Sequence, residues 1–168
     1  HCPTALPANW QCINGKLFGP AANLSYGFDN QSMDGIVLDN AHLENSKFYQ
    51  ARLHNASLQS AQLQNSMLYA VKLENANLDN ANLANTDLRV ALLDNASLVG
   101  SNLQGASLIV ASLNGANLSG ANLAGANLTY TNLQNANLSG VDLSTADLTN
   151  VRGAGLAVCP AALPTGWQ

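Results

Sequence analysis

The sequence predicts an all-β solenoid, and three observations predict it. From Met33 to Leu148 every fifth residue is large and apolar, 24 in succession without a slip, and Phe28 extends the series by one. Two residues before each centre from Leu43 to Leu148 stands a small or β-branched residue, as at Ala41, Ser46, Ala51, Ala56, Val71 and Ala146. Two residues after the centres from Leu38 to Leu148, 16 of 23 positions are Asn or Gly, which accept a positive φ at low cost. A period of five fits neither the 3.6 of a helix nor the 2 of a strand. The chain therefore turns a corner every five residues and points two side chains inward, one large and one small.

Other architectures fail on the same pattern. Asn and Gly recur through stretches such as NGANLSGANLAGANL at 114–128, which disfavours a long helix. A polar low-complexity coil would not hold an apolar residue at every fifth place for so long.

The pentads ANLDN, ANLSG, ANLAG, ANLTY, VDLST and ADLTN match A(D/N)LXX, and residues 28–150 resemble the pentapeptide-repeat family. The resemblance implies a right-handed, four-sided parallel β-helix with four pentads per coil. On that plan the chain makes about six coils, each rising ~4.8 Å, or ~29 Å in all. Centre Leu and small Ala residues would stack in columns, with backbone hydrogen bonds between coils. At ~1.5–3 kcal/mol for each Leu-sized side chain, the centres offset much of the ordering entropy.

The chain divides into an N-terminal cap, 1–27, the solenoid, 28–150, and a C-terminal junction segment, 151–168. In the cap, Trp10, Leu17 and Phe18 are expected to cover the first coil's apolar end. After Leu148 the beat is expected to fail across Arg152–Leu156. The opening HCPTALPANWQ and the closing VCPAALPTGWQ agree at seven positions, among them Cys2 with Cys159 and Trp10 with Trp167. Cys2 and Cys12 would suit a small disulfide loop, leaving Cys159 either a buried free thiol or the partner of a cysteine beyond Gln168. These paired phrases suggest one module of a tandem solenoid, or a subunit joining head to tail. The alternative is a single domain whose two ends use similar caps. The His1 start suggests a processed or excised piece.

Composition narrows the functions further. Charged residues are 10% of the chain, with six Lys and Arg against ten Asp and Glu and a net charge of −4. No basic cluster suits nucleic acid or anionic lipid, and no run approaches a membrane span. Three cysteines in a weakly charged, Asn- and Ser-rich chain point to an oxidising compartment: secreted, cell-surface, periplasmic or lumenal. No nucleophile elbow, P-loop, CxxC or other catalytic constellation is present, and a filled Leu core leaves no substrate pocket. The reading is non-enzymatic, with no cofactor and no metal.

Sorting outward residues by face singles out one side. The pentads centred on Phe48, Leu68, Leu88, Leu108 and Leu128 carry five of the seven corners that are not Asn or Gly. Tyr49, Tyr69, Arg89, Val90, Ile109, Val110 and Tyr130 form an expected interaction stripe, with Tyr49 on Tyr69 and Arg89 over Tyr69. Stacking in a β-ladder would favour such residues by itself. On the adjacent face Glu74 and Asp94 stand one rung apart, a conceivable cation site but more simply solvated carboxylates. His42 and His54 lie on different faces and do not converge.

The expected function is structural: a rigid spacer or fibre module, self-associating or adjoining identical modules head to tail. One alternative is a periplasmic or thylakoid-lumen protein that binds a protein partner through the stripe. Another, drawn from the family, is a DNA-mimicking topoisomerase-binding protein, for which the surface carboxylates are too few.

Overall fold

The computed structural model describes residues 3, 5–13, 16–24 and 27–167. The pentads close turns of one kind, with Thr145 the exception. The N–H three residues after a centre donates to the centre's carbonyl, as Ala41 to Leu38 at 3.1 Å and Ala76 to Leu73 at 3.0 Å. The residue before that donor is left-handed, with φ of 58° at Asn40 and 64° at Gly100. A positive φ at the third residue defines a type II turn, which is why Asn and Gly recur there.

Four such corners return the chain above itself. Parallel bridges join Val37 to Ser57, His42 to Gln62, Lys47 to Met67 and Arg52 to Lys72, one on each of four sides. A side of the ladder carries Leu58 N–H to Asn77 C=O at 2.7 Å and Asn77 N–H to Ala56 C=O at 2.9 Å. At its corner Ser60 N–H donates to Asp79 C=O at 2.8 Å. The backbone groups that a strand would leave unpaired thus find partners one coil away.

The A(D/N)L motif gains a structural reason. The side chain before the centre caps the N–H two residues on: Asn77 Oδ1 accepts from Asp79, and Asn127 Oδ1 from Thr129, both at 2.9 Å. At three places where Ser replaces Asn, an Asp from the previous coil takes over. Asp39 accepts from the Ser57 hydroxyl at 2.6 Å and from Gln59 N–H at 3.0 Å. Asp79 does the same for Ser97 and Val99, and Asp94 for Ser112 and Asn114.

Inside, the centre Leu residues and their small partners are buried in one continuous core. The inward hydroxyls are satisfied as well. Ser66 Oγ donates to Leu43 C=O, and Thr131 Oγ1 to Leu108 C=O, each at 2.7 Å. At the N-terminal end Phe48, Phe28 and Phe18 form an aromatic column, with centroids 4.5 Å and then 5.5 Å apart.

A hairpin of β1 (Gln11–Ile13) and β2 (Lys16–Phe18) delivers Phe18 into that column. Trp10 packs partly buried against the core, lying so close over Gly19 that a Cβ there would run into the indole. Leu17 is not part of this cover. Cross-strand pairing sets it opposite Cys12 and leaves it 38% exposed, so Phe18 and Trp10 close this end.

The expected break at Arg152–Leu156 lies further along the chain. Arg152 still pairs with Asn132, and Gly155 still turns the corner at φ 67°. The beat continues through one pentad whose centre, Gly153, has no side chain and so carries no apolar mark in the sequence. The slip follows it: Asn137 bridges Val158, one residue later than the coil length, and Asp142 then bridges Ala162. The opposite end is one residue short, with Asn23 bridging His42.

One rung opens. From Asn30 to Gly155 every corner is left-handed except Thr145. The turn still closes, Ala146 N–H to Leu143 C=O at 3.0 Å, but without a positive φ its central peptide is turned over, as in type I. Gly125 N–H accordingly donates to Thr145 Oγ1 at 3.1 Å instead of to a carbonyl. No bridge joins Asn122 to Asp142, and a groove of about 320 Å³ lies there, lined by Gly120, Ala121, Asp142 and Thr145. The Asn ladder of this side, Asn122 to Asn102 at 3.1 Å and Asn102 to Asn82 at 3.2 Å, stops at Asp142, whose carboxylate has no amide to donate.

Thr145→Asn should restore the left-handed corner and its ladder bonds. Urea unfolding is expected to show a gain of about 1 kcal/mol; an unchanged or lower stability would mean that Thr145 does not cause the opening.

Candidate interaction surface

The side that carries the sequence-derived stripe differs from the others in backbone energy. Its corner positions are Gln50, Ala70, Val90, Val110 and Tyr130, with φ of 54°, 53°, 61°, 62° and 58°. A left-handed φ costs roughly 1–2 kcal/mol for an L-residue with a Cβ, and Asn suffers least because its side chain bonds locally. For β-branched Val it is an outlier. These side chains also face solvent: Val90 is 39% exposed, Val110 52% and Tyr130 57%. Propensity for a pleated strand does not explain residues at a turn. The row combines backbone strain with apolar exposure, and folding rewards neither.

Beside that row stand the aromatics. Tyr49 and Tyr69 stack at 5.4 Å with ring planes 6° apart. The Arg89 guanidinium lies 5.6 Å from the Tyr69 centroid and is held by Asp87 through Nε at 2.8 Å and a terminal nitrogen at 2.7 Å. Those hydrogen bonds keep the Asp87 carboxyl below its ordinary range. Ile109 is half-buried in the same row. The ring faces are thus used within the ladder, while the tyrosine edges and the corner row meet solvent.

Around the corner, Asn30, Gln50, Arg52, Ala70, Lys72, Val90 and Leu92 line a groove of about 470 Å³. Arg52 and Lys72 are bridge partners and so lie one rung apart. Arg52 pairs with Asp34. On the adjoining face His54 sits between carboxylates, its Nδ1 donating to Asp34 at 2.9 Å and its Nε2 lying 3.1 Å from Glu74. Burial pushes the Asp34 carboxyl up, but hydrogen bonds from the His54 side chain and backbone and the charge of Arg52 hold it below the usual carboxylate range. Asp94 is engaged already, by Ser112 and Asn114, while the buried Glu74 Oε2 faces His54 Nε2 without a hydrogen bond. His42 contacts Glu44 instead, at 3.1 Å. Among the described residues no group of three His, Cys, Asp or Glu could share a metal ion.

The second notable surface is the C-terminal end. Leu133, Leu138, Leu143 and Leu148 form the floor of an apolar cavity of about 290 Å³, with Gly153, Leu156, Cys159, Pro160, Leu163 and Trp167 around it. Gly153 at the centre of its pentad leaves the column ending in Leu133 open below. Leu163 is 38% exposed and Trp167 43%. Cys159 is a free, exposed thiol, not a buried one, and Cys12 is disulfide-bonded. Cys2, the partner suggested for Cys12, lies outside the described residues.

Replacing Val90 and Val110 together by Asn should raise stability, by about 1 kcal/mol at each site, since relief of strain outweighs the loss of half-exposed apolar surface. Thermal unfolding of the double variant would check this. A lower Tm would mean that the corner valines make contacts worth more than their backbone strain.

Similarity to known proteins agrees with this architecture. The family model described as pentapeptide repeats matches in eight copies, over residues 36–75, 72–108 and 111–151. No curated protein matches the chain. Among solved structures, a trypsin-treated variant of QnrB1, a plasmid-mediated fluoroquinolone resistance protein, is 18% identical with a TM-score of 0.61, covering 86% of this chain and 72% of that one. HetL, a pentapeptide repeat protein involved in heterocyst differentiation regulation from the cyanobacterium Nostoc, is 26% identical with a TM-score of 0.27, covering 88% and 92%. A pentapeptide repeat protein of the Arabidopsis thaliana thylakoid lumen is 23% identical with a TM-score of 0.23, covering 64% and 68%. With its corners, its ladder and the family match together, this chain belongs to the pentapeptide-repeat family and forms a right-handed, four-sided β-helix.

Proposed function

We propose that the chain is a non-enzymatic structural module of a secreted or cell-surface assembly, joined to its neighbours head to tail. The observation that carries this reading is the likeness of the two ends. Trp10 N–H donates to Pro7 C=O and Trp167 N–H to Pro164 C=O, both at 3.1 Å. The residue before each Trp is left-handed, Asn9 at 64° and Gly166 at 88°. One phrase therefore makes one turn twice.

The two turns have different surroundings. After Trp10 the β1–β2 hairpin leads to Gly19, on which the indole packs. Among the described residues no hairpin packs on Trp167, which borders an apolar cavity at the end of the core columns. An N-terminal cap from the next module is the complementary surface, and a contact between unlike ends propagates along one axis. The free thiol of Cys159 borders this junction.

A partner-binding role for the Tyr and Val side is the second reading, favoured by its strained, exposed corner. Mimicry of DNA is disfavoured. Four of the six cations, Lys47, Arg52, Lys72 and Arg89, gather around one corner, where a duplex mimic needs carboxylates.

Sedimentation velocity across a concentration series tests the main reading. Rods that lengthen end to end are expected, and Trp167→Ser should abolish that growth while leaving the monomer folded. A wild-type chain that stays monomeric at the highest concentration, even when expressed as two fused modules that fail to form one straight rod by electron microscopy, would sink it.

A further inference from the structure

The groove beside the strained corner carries an inference that does not depend on end-to-end joining. We propose that it binds an extended polypeptide segment bearing carboxylates next to apolar side chains, laid along the solenoid axis.

Charge supports this occupant. Nine of the ten Asp and Glu side chains of the chain are hydrogen-bonded internally: Asp29, Asp142 and Asp147 cap backbone N–H groups, Asp39, Asp79 and Asp94 tie successive coils, and Asp34, Glu44 and Asp87 meet His or Arg, while Glu74 is turned toward His54 on the adjoining face. The cations are not so matched. Among the described residues Lys47 and Lys72 have no ion pair, and Lys72 lines the groove one rung from Arg52. A chain of net charge −4 that leaves two lysines unpaired around one corner presents a local positive surface.

Shape and strain support it too. Between Arg52 and Lys72 on one flank, Ala70, Val90 and Leu92 supply an apolar floor. The groove follows the corner over four rungs, from Asn30 to Val90, with rungs ~4.8 Å apart. That is a long, shallow channel suited to an extended chain rather than a compact small molecule. Ala70 and Val90 hold left-handed φ where Asn or Gly would sit without strain, and such outliers gather at ligand-binding surfaces. A second copy is a poorer occupant, because its own carboxylates, Glu74 apart, are already bonded within its coils.

The test is fluorescence anisotropy with a labelled ten-residue peptide of alternating Glu and Leu, and a control with Lys in place of Glu. Saturable, salt-sensitive binding of the acidic peptide alone is expected. Lys72→Glu should weaken it about tenfold or more, and Val90→Asn should weaken it while the variant unfolds no earlier than wild type. Equal binding of both peptides, or binding that survives both substitutions, would overturn the proposal. So would dimerisation abolished by Lys72→Glu, which would assign the groove to a second copy.

Discussion

Everything in this structure depends on a left-handed residue every fifth position. That φ closes a type II turn, the turn bends the chain by one side of a square, and four turns bring each backbone group opposite its equivalent one coil away. The inter-coil ladder follows from that geometry, and so do the buried Leu and Ala columns. Thr145 shows the dependence from the other direction. Where the corner is not left-handed, the carbonyl acceptor for Gly125 is replaced by a hydroxyl, and the bridge beside it is missing. The ladder does not position the corners; the corners position the ladder.

The same constraint makes the outer surface readable in energetic terms. Three of the four sides keep to corner residues that suit the turn, with Ser60 and Thr145 the exceptions among them. One side sets Val90, Val110 and Tyr130 in a conformation that opposes them and then exposes them to water. Neither feature strengthens the fold, and this is the ground for the partner-binding reading proposed for that side. The distribution of charge differs there too: nine of the ten carboxylates are hydrogen-bonded internally, while Lys47 and Lys72 around that corner have no ion pair among the described residues.

Much of this is legible in the sequence, since the beat is local and each pentad repeats the same physics. Phe28 through Leu148 are buried as the five-residue spacing requires, and the Asn and Gly corners turn where they stand. The parts that escape are those where a residue's meaning lies a coil away. Asp39 caps Gln59 only because Ser57 has replaced the Asn that would do so, a pairing that shows in the sequence only when residues 18 and 20 apart are compared. Gly153 hides a final pentad because it has no side chain to betray a centre, and the one-residue slip after it moves the register to Val158. Leu17 reads as cap material from hydrophobicity alone, while hairpin pairing turns it outward. The stripe is legible as a departure from the Asn and Gly rule, but its strain needs the backbone angles.

If corner conformation governs the ladder, native-state amide hydrogen exchange resolved by residue should show it. Slow exchange is expected along the ladder, as at Leu58, Asn77, Leu88 and Asn117, whose N–H groups each donate to a neighbouring coil. Leu123 and Asp142, flanking the corner that is not left-handed, are expected to exchange far faster than their equivalents one coil before. Uniform protection through Leu123 and Asp142 would mean that the ladder closes without a left-handed corner to place it, and that the corners do not govern this fold.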